Sequence, residues 1–122
     1  MKIIIKSGPL SWQATIAPTP TGKLIYQALP LQGAASCWGQ EIYFTIPVVA
    51  DLEAEAVDLV AKGDLGYWPT GKAFCIFFGS TPLSRGSEIR AAGAVNVFGR
   101  IIGDLGDLNK VKEGDPVVVE QS

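Results

Sequence analysis

The densest set of side chains able to hold a ligand is aromatic: Tyr67-Trp68 and, nine residues on, Phe77-Phe78. Rings of this kind build an apolar or stacking pocket, and the tyrosine hydroxyl and indole N–H supply polar handles. Large aromatics also fill cores, and that ordinary reading stands beside the functional one. Phe77 and Phe78 are sequence neighbours, so on a strand they face opposite ways and only one can join a given pocket.

Glu41 follows Trp38-Gly39-Gln40 and opens the apolar run Ile42-Tyr43-Phe44-Thr45-Ile46. A carboxyl there can serve as a general base or as a ligand anchor near the aromatic set; the alternative is a solvated acid at a strand start. Arg85 and Arg90 lie in a polar, glycine-bearing stretch, and a guanidinium fork matches the oxygens of a carboxylate or phosphate. Asn96 sits in a valine-rich run, where its amide must be satisfied within the fold or by a ligand. Arg100 is a groove cation or an ordinary surface partner of Asp104 or Glu120. The candidate ligand-binding residues are Glu41, Tyr67, Trp68, Phe78, Arg90 and Asn96.

Several chemistries are excluded by what the chain lacks. With no histidine there is no Ser-His-Asp or Cys-His engine, and Cys37 and Cys75 alone make a poor zinc site, so no metal is expected. The two cysteines are expected as buried free thiols, since no disulfide framework is needed at this size. Gly63-Asp64-Leu65-Gly66 lacks the Lys-Ser/Thr and helix start of a phosphate loop, and no cofactor is expected. Ten basic residues are scattered among twelve acidic ones for a net charge of −2, which is no footprint for nucleic acid. No stretch approaches the about 20 apolar residues of a membrane span, and the N-terminal Ile3-Ile4-Ile5 run meets Lys6 too soon for a signal peptide. The expected location is the cytoplasm.

The elements that must position these residues read mainly as strands. At 122 residues with 48% hydrophobic and 18% charged residues, the chain suits one globular domain spanning 1–122. Lys2 to Lys6 and Trp12 to Ala17 predict a hairpin. Helical spacing of Leu24, Ile25, Ala28 and Leu29 predicts a helix over Thr21 to Leu29, with Thr21 as its N-cap. Ile42 to Ile46 predicts a central strand, and Asp51 to Lys62 fits either a helix or an edge strand at Ala56 to Val60. Gly63 to Trp68 and Lys72 to Phe78 predict a hairpin through the Pro69-Thr70-Gly71 turn. A long connector from Ser80 to Gly93 leads to a strand over Ala94 to Gly103 with Val95 and Val97 on one side. A short helical turn at Asp104 to Asn109 and a strand over Asp115 to Glu120 complete the chain. The fold expected from about eight such strands and one or two short helices is a mainly β, closed β-barrel, because closure hides strand edges.

Three motifs then resemble the small prokaryotic cyclophilin-like proteins, a family of uncharacterised function: Gly63-Asp64-Leu65-Gly66-Tyr67-Trp68-Pro69, Phe74-Cys75-Ile76-Phe77-Phe78-Gly79, and Val95-Asn96-Val97-Phe98-Gly99-Arg100-Ile101. The match runs over nearly the whole chain, and the order of the strands also resembles true cyclophilins. That resemblance implies a barrel with an outer groove for a proline-containing peptide. It also implies a catalytic arginine on the strand where this chain has Phe44, and the Gln-Gly-Gly-Asp segment that follows in cyclophilins is missing. The sequence therefore points to a cyclophilin-like binding domain lacking prolyl isomerase activity, with a small molecule or proline-containing peptide as ligand. The alternatives are a residual prolyl isomerase, an enzyme pairing Glu41 with Arg90, or a homo-oligomer that buries the exposed aromatics.

Overall fold

The structure is a computed structural model and describes residues 1–122. Ten strands and one helix follow one another along the chain: β1 (Lys2–Ser7), β2 (Leu10–Ile16), α1 (Pro20–Ala28), β3 (Leu31–Ala34), β4 (Ser36–Cys37), β5 (Glu41–Thr45), β6 (Val57–Val60), β7 (Asp64–Trp68), β8 (Ala73–Phe77), β9 (Ile89–Ile102) and β10 (Pro116–Gln121). Short 3-10 turns occupy Pro69–Gly71 and Gly106–Lys110. No helix is long and apolar enough to cross a membrane.

The expected closed β-barrel is not formed. The strands pair antiparallel in the order β3-β10-β1-β2-β9-β7-β8-β5-β4, with β6 branching off β9, so the sheet is open and has two ends. Those ends belong to one stretch of chain: Leu31 to Ala34 pairs with β10, and after Ala35 the backbone leaves to pair with β5. The Phe44 ring lies so close to Gly33 that an added Cβ would meet it at 3.0 Å. No hydrogen-bonded ladder links β3 to β5 or to the end strand β4, and the sheet stays open.

Two faces of the sheet are buried, and β8 shows why its sequence does not alternate. Phe74 and Ile76 enter the main core with Ile42 and Phe44 of β5, while Ala73, Cys75 and Phe77 enter a second, smaller cluster with Ile89, Ala91 and Val95 of β9. A strand covered on both faces reads as an unbroken apolar run. In the main core Phe74 stacks on Phe44 and meets Phe98 edge-on, each with centroids 5.1 Å apart.

Local differences from the sequence expectations have simple causes. The helix starts at Pro20, whose missing N–H and fixed φ suit a first helical position, so the cap falls to Thr19, whose hydroxyl accepts from the Gly22 N–H at 3.0 Å. Thr21 is instead buried, and its hydroxyl bonds the Glu53 carboxylate. The ambiguous stretch contains the short edge strand β6, not a helix. Strand β9 starts at Ile89, five residues before the expected Ala94, which shortens the connector and puts Arg90 on a strand. Cys75 is buried as expected, but Cys37, near the sheet end, is exposed; both thiols are free.

Candidate functional site

The second, smaller cluster does not fill its face of the sheet. A cavity of about 210 Å³ remains, and seven of its eight lining residues are hydrophobic; the eighth is Glu41. Its walls come from four elements: Trp38 ahead of β5, Tyr43 of β5, Trp68 and Cys75 at the β7–β8 hairpin, and Ala91, Ala92 and Val95 of β9.

Glu41 is placed by a tight hairpin. The Trp38 N–H donates to the Glu41 carbonyl at 2.9 Å and the Glu41 N–H returns a bond to the Trp38 carbonyl at 3.1 Å, leaving Gly39 and Gln40 as a two-residue turn. Gly39 occupies the first central position with φ of +59°, the conformation that a type II′ hairpin asks of glycine. Its neighbours hold the tip down. The Gln40 N–H donates to the Ser80 carbonyl at 2.8 Å, and the Phe78 N–H to the Gln40 carbonyl at 3.0 Å.

From there the pleat does the rest. Register sets Glu41 opposite Phe77 and Tyr43 opposite Cys75, so all four side chains share the face that carries the cavity. Across it, β6 pairs with β9 at Val95 and, after a register shift, at Arg90 and Ile89. The β9 residues between these pairs bulge, and Ala91 and Ala92 turn small side chains to the cavity.

The electrostatics are unusual. Glu41 is 6% exposed, and its Oε1 is buried with no hydrogen-bond partner. Burial raises its pKa to about 7, and the Cys75 thiol beside it pulls the other way without undoing the shift. The Cys75 thiol is itself pushed well above its ordinary value, by burial first and by the Glu41 charge second, so it is no nucleophile at neutral pH. Its Sγ faces the Ala73 carbonyl at 3.8 Å. No basic side chain lines the cavity.

Of the six candidate residues, the structure brings only Glu41 and Trp68 together. Tyr67 points into the main core, 0% exposed, where its hydroxyl donates to the Val48 carbonyl at 2.6 Å. Phe78 packs on the main core and borders a separate, polar depression with Lys62 and Asn109. Arg90 is held by Glu88, at 2.9 Å, and Asp58, at 2.7 Å. Asn96 is satisfied within the fold: it donates to the Thr21 hydroxyl and the Asp51 carbonyl, both at 2.9 Å, and accepts from the Glu53 N–H at 2.8 Å. Arg100, read from the sequence as a groove cation or a partner of Asp104 or Glu120, contacts Asp64 at 3.3 Å and the Lys62 carbonyl at 2.9 Å. Trp38, Tyr43 and Cys75 complete the site and were not among the candidates. Alternation from Glu41 to Tyr43 was the available signal, but only the strand pairing puts Cys75 next to them.

Open, largely antiparallel and with one helix, this architecture has relatives. A family model described as Cyclophilin-like matches residues 1–120, and the chain belongs to that family. It is similar to a hypothetical protein from Archaeoglobus fulgidus known from its solution structure. The two share 40% identity with a TM-score of 0.84, over 100% of this chain and 95% of the other. A structure of McbB in complex with tryptophan shares the fold at 14% identity and a TM-score of 0.66, over 98% of this chain and 44% of McbB. No curated protein matches the sequence.

Proposed function

We propose that this protein is a binding domain whose ligand is a small, largely apolar molecule presenting a hydrogen-bond donor to Glu41. One observation carries the reading: a buried carboxylate oxygen without a partner at the wall of an otherwise hydrophobic cavity. An unsatisfied buried acceptor costs about 1–3 kcal/mol, more when charged, and a ligand donor recovers that cost. The cavity falls below the about 300–1,000 Å³ typical of drug-sized ligands, which favours a fragment-sized molecule over a folded peptide segment.

Prolyl isomerisation is not part of this reading. Phe44, where the cyclophilin resemblance implies an arginine, is 2% exposed in the main core. No guanidinium lines the cavity to aid rotation about an amide whose barrier is about 18–20 kcal/mol. The test follows the Trp38 and Trp68 indole N–H resonances during titration with a fragment set and with an Ala-Pro peptide, with exchange spectroscopy on the peptide. Fragment-induced shifts without faster cis/trans exchange are expected. Accelerated exchange would overturn the reading.

A second reading, an enzyme in which Glu41 moves a proton, is favoured by its pKa of about 7, close to the operating pH of a general base. New product signals from a bound fragment, lost in Glu41→Gln, would select it.

A further inference from the structure

Resting on the small-molecule reading above, we propose that the cavity recognises an amine in its cationic form, with the N–H groups on Glu41 and the apolar body among Trp38, Tyr43 and Trp68. The argument begins with what faces Glu41. From its own strand comes Tyr43, from β8 Cys75, from the β7 end Trp68, and from β9 Ala91, Ala92 and Val95. Neither a lysine nor an arginine is among them. The guanidinium next in sequence to the lining residue Ala91, that of Arg90, is engaged by Glu88 and Asp58. Tyr43 and Cys75 are the only other titratable groups in the lining, and neither brings positive charge.

A carboxylate so enclosed has two ways to be neutralised: it takes a proton, or a ligand brings the opposite charge. An ammonium group supplies that charge together with the N–H donors that the unpartnered Oε1 needs. The rings of Trp38, Tyr43 and Trp68 line the same cavity, and a ring face within about 6 Å of a cation attracts it through its quadrupole. An anionic ligand meets repulsion from Glu41 and finds no basic side chain to answer it. A neutral alcohol offers one donor and no charge.

Proton linkage gives the inference a signature. With Glu41 titrating at about 7, a cation bound below that pH displaces a proton from the carboxyl. Affinity for an amine therefore rises with pH below 7 and levels off above it. A carboxylic acid ligand would show the reverse trend, and an alcohol almost none.

The experiment uses benzylamine, benzyl alcohol and benzoate, three probes of one shape and three charges, titrated into the full chain by NMR and calorimetry between pH 5.5 and about 8.5, a range spanning the expected titration. Benzylamine is expected to bind most tightly, to weaken by about tenfold per pH unit below the Glu41 pKa, and to release a proton seen as a buffer-dependent enthalpy. Glu41→Gln is expected to weaken benzylamine by roughly tenfold or more and to remove both the proton release and the pH dependence of its binding. Benzyl alcohol binding as tightly as benzylamine, or amine binding without proton release at pH 6, overturns the amine inference and leaves the small-molecule reading intact. If none of the three moves the Trp38 or Trp68 resonances of the folded protein, both fall together.

Discussion

Trp38 and Glu41 exchange both backbone hydrogen bonds across the Gly39-Gln40 turn, at 2.9 and 3.1 Å, and so stand side by side at the same cavity wall. The hairpin does two jobs at once. It holds the indole as a wall, and it carries the carboxyl back under the sheet where water reaches only part of it. Because the tip is bonded to Phe78 and Ser80, Glu41 cannot easily swing out to be solvated.

The first prediction concerns pH. Glu41 has a folded pKa raised to about 7, above its unfolded value, so the folded state holds the proton more tightly. Its ionisation then opposes folding. The penalty is absent in acid below the unfolded pKa, grows as pH rises toward 7, and is fully present above it. Glu41→Gln should therefore match the wild type near pH 4 and exceed its stability at pH 8 by on the order of 2 kcal/mol, a value discounted for the water that the cavity mouth admits. Urea unfolding at the two pH values checks the sign. A carboxyl carbon NMR titration with an ordinary carboxylate midpoint would remove the basis for it.

Phe44 supplies a second. Its ring stacks on Phe74 at 5.1 Å and packs on Gly33, so Phe44→Ala should cost about 3–5 kcal/mol in chemical unfolding. Phe44→Arg, which would restore the cation implied by cyclophilins, buries an unpaired charge in the main core. Loss of a cooperative unfolding transition is expected, with no gain in prolyl exchange rate. A stable Phe44→Arg protein would show that this strand tolerates polar side chains.

Asn96 ties three segments together, and its removal tests that role. In Asn96→Ala the Glu53 N–H and Asp51 carbonyl lose their side-chain partner and Thr21 loses a donor. The expected loss is about 2–4 kcal/mol. Hydrogen exchange at Glu53 should accelerate beyond the global change, since the 49–56 stretch has little other regular pairing. Equal acceleration everywhere would mean that Asn96 supports the whole core and not this segment.

Thiol chemistry makes the fourth. Cys37 is exposed and Cys75 buried. One equivalent of a maleimide should react with the native protein, with a second appearing only on unfolding. Burial, then the charges of Glu113 and Asp115, raise the Cys37 pKa, so its reaction should be slower at pH 7 than that of a free cysteine and accelerate more steeply toward alkaline pH. Two fast thiols in the native protein would place Cys75 at an open surface.

Much of the strand plan was legible in the sequence for local reasons. The β1–β2 and β7–β8 hairpins follow from runs of strand formers punctuated by Gly and Pro, and the Cyclophilin-like family from motifs that lie on β7, β8 and β9. Glu41 and Trp68 stood out as residue types in an apolar context. Tertiary structure decided the remainder. Whether a row of strands closes depends on where its two ends meet, and here one segment, Leu31 to Cys37, turns from β10 to β5 and leaves the sheet open. Tyr67 and Trp68 are equivalent as neighbours in a sequence, yet the pleat sends one into the main core and the other to the cavity. Asn96 could not be told from a ligand-binding amide until Thr21, Asp51 and Glu53 were found around it. Composition and period specify which residues prefer burial, but burial without a partner, the property that singles out Glu41, is a relation among strands distant in sequence and arises only when they pack.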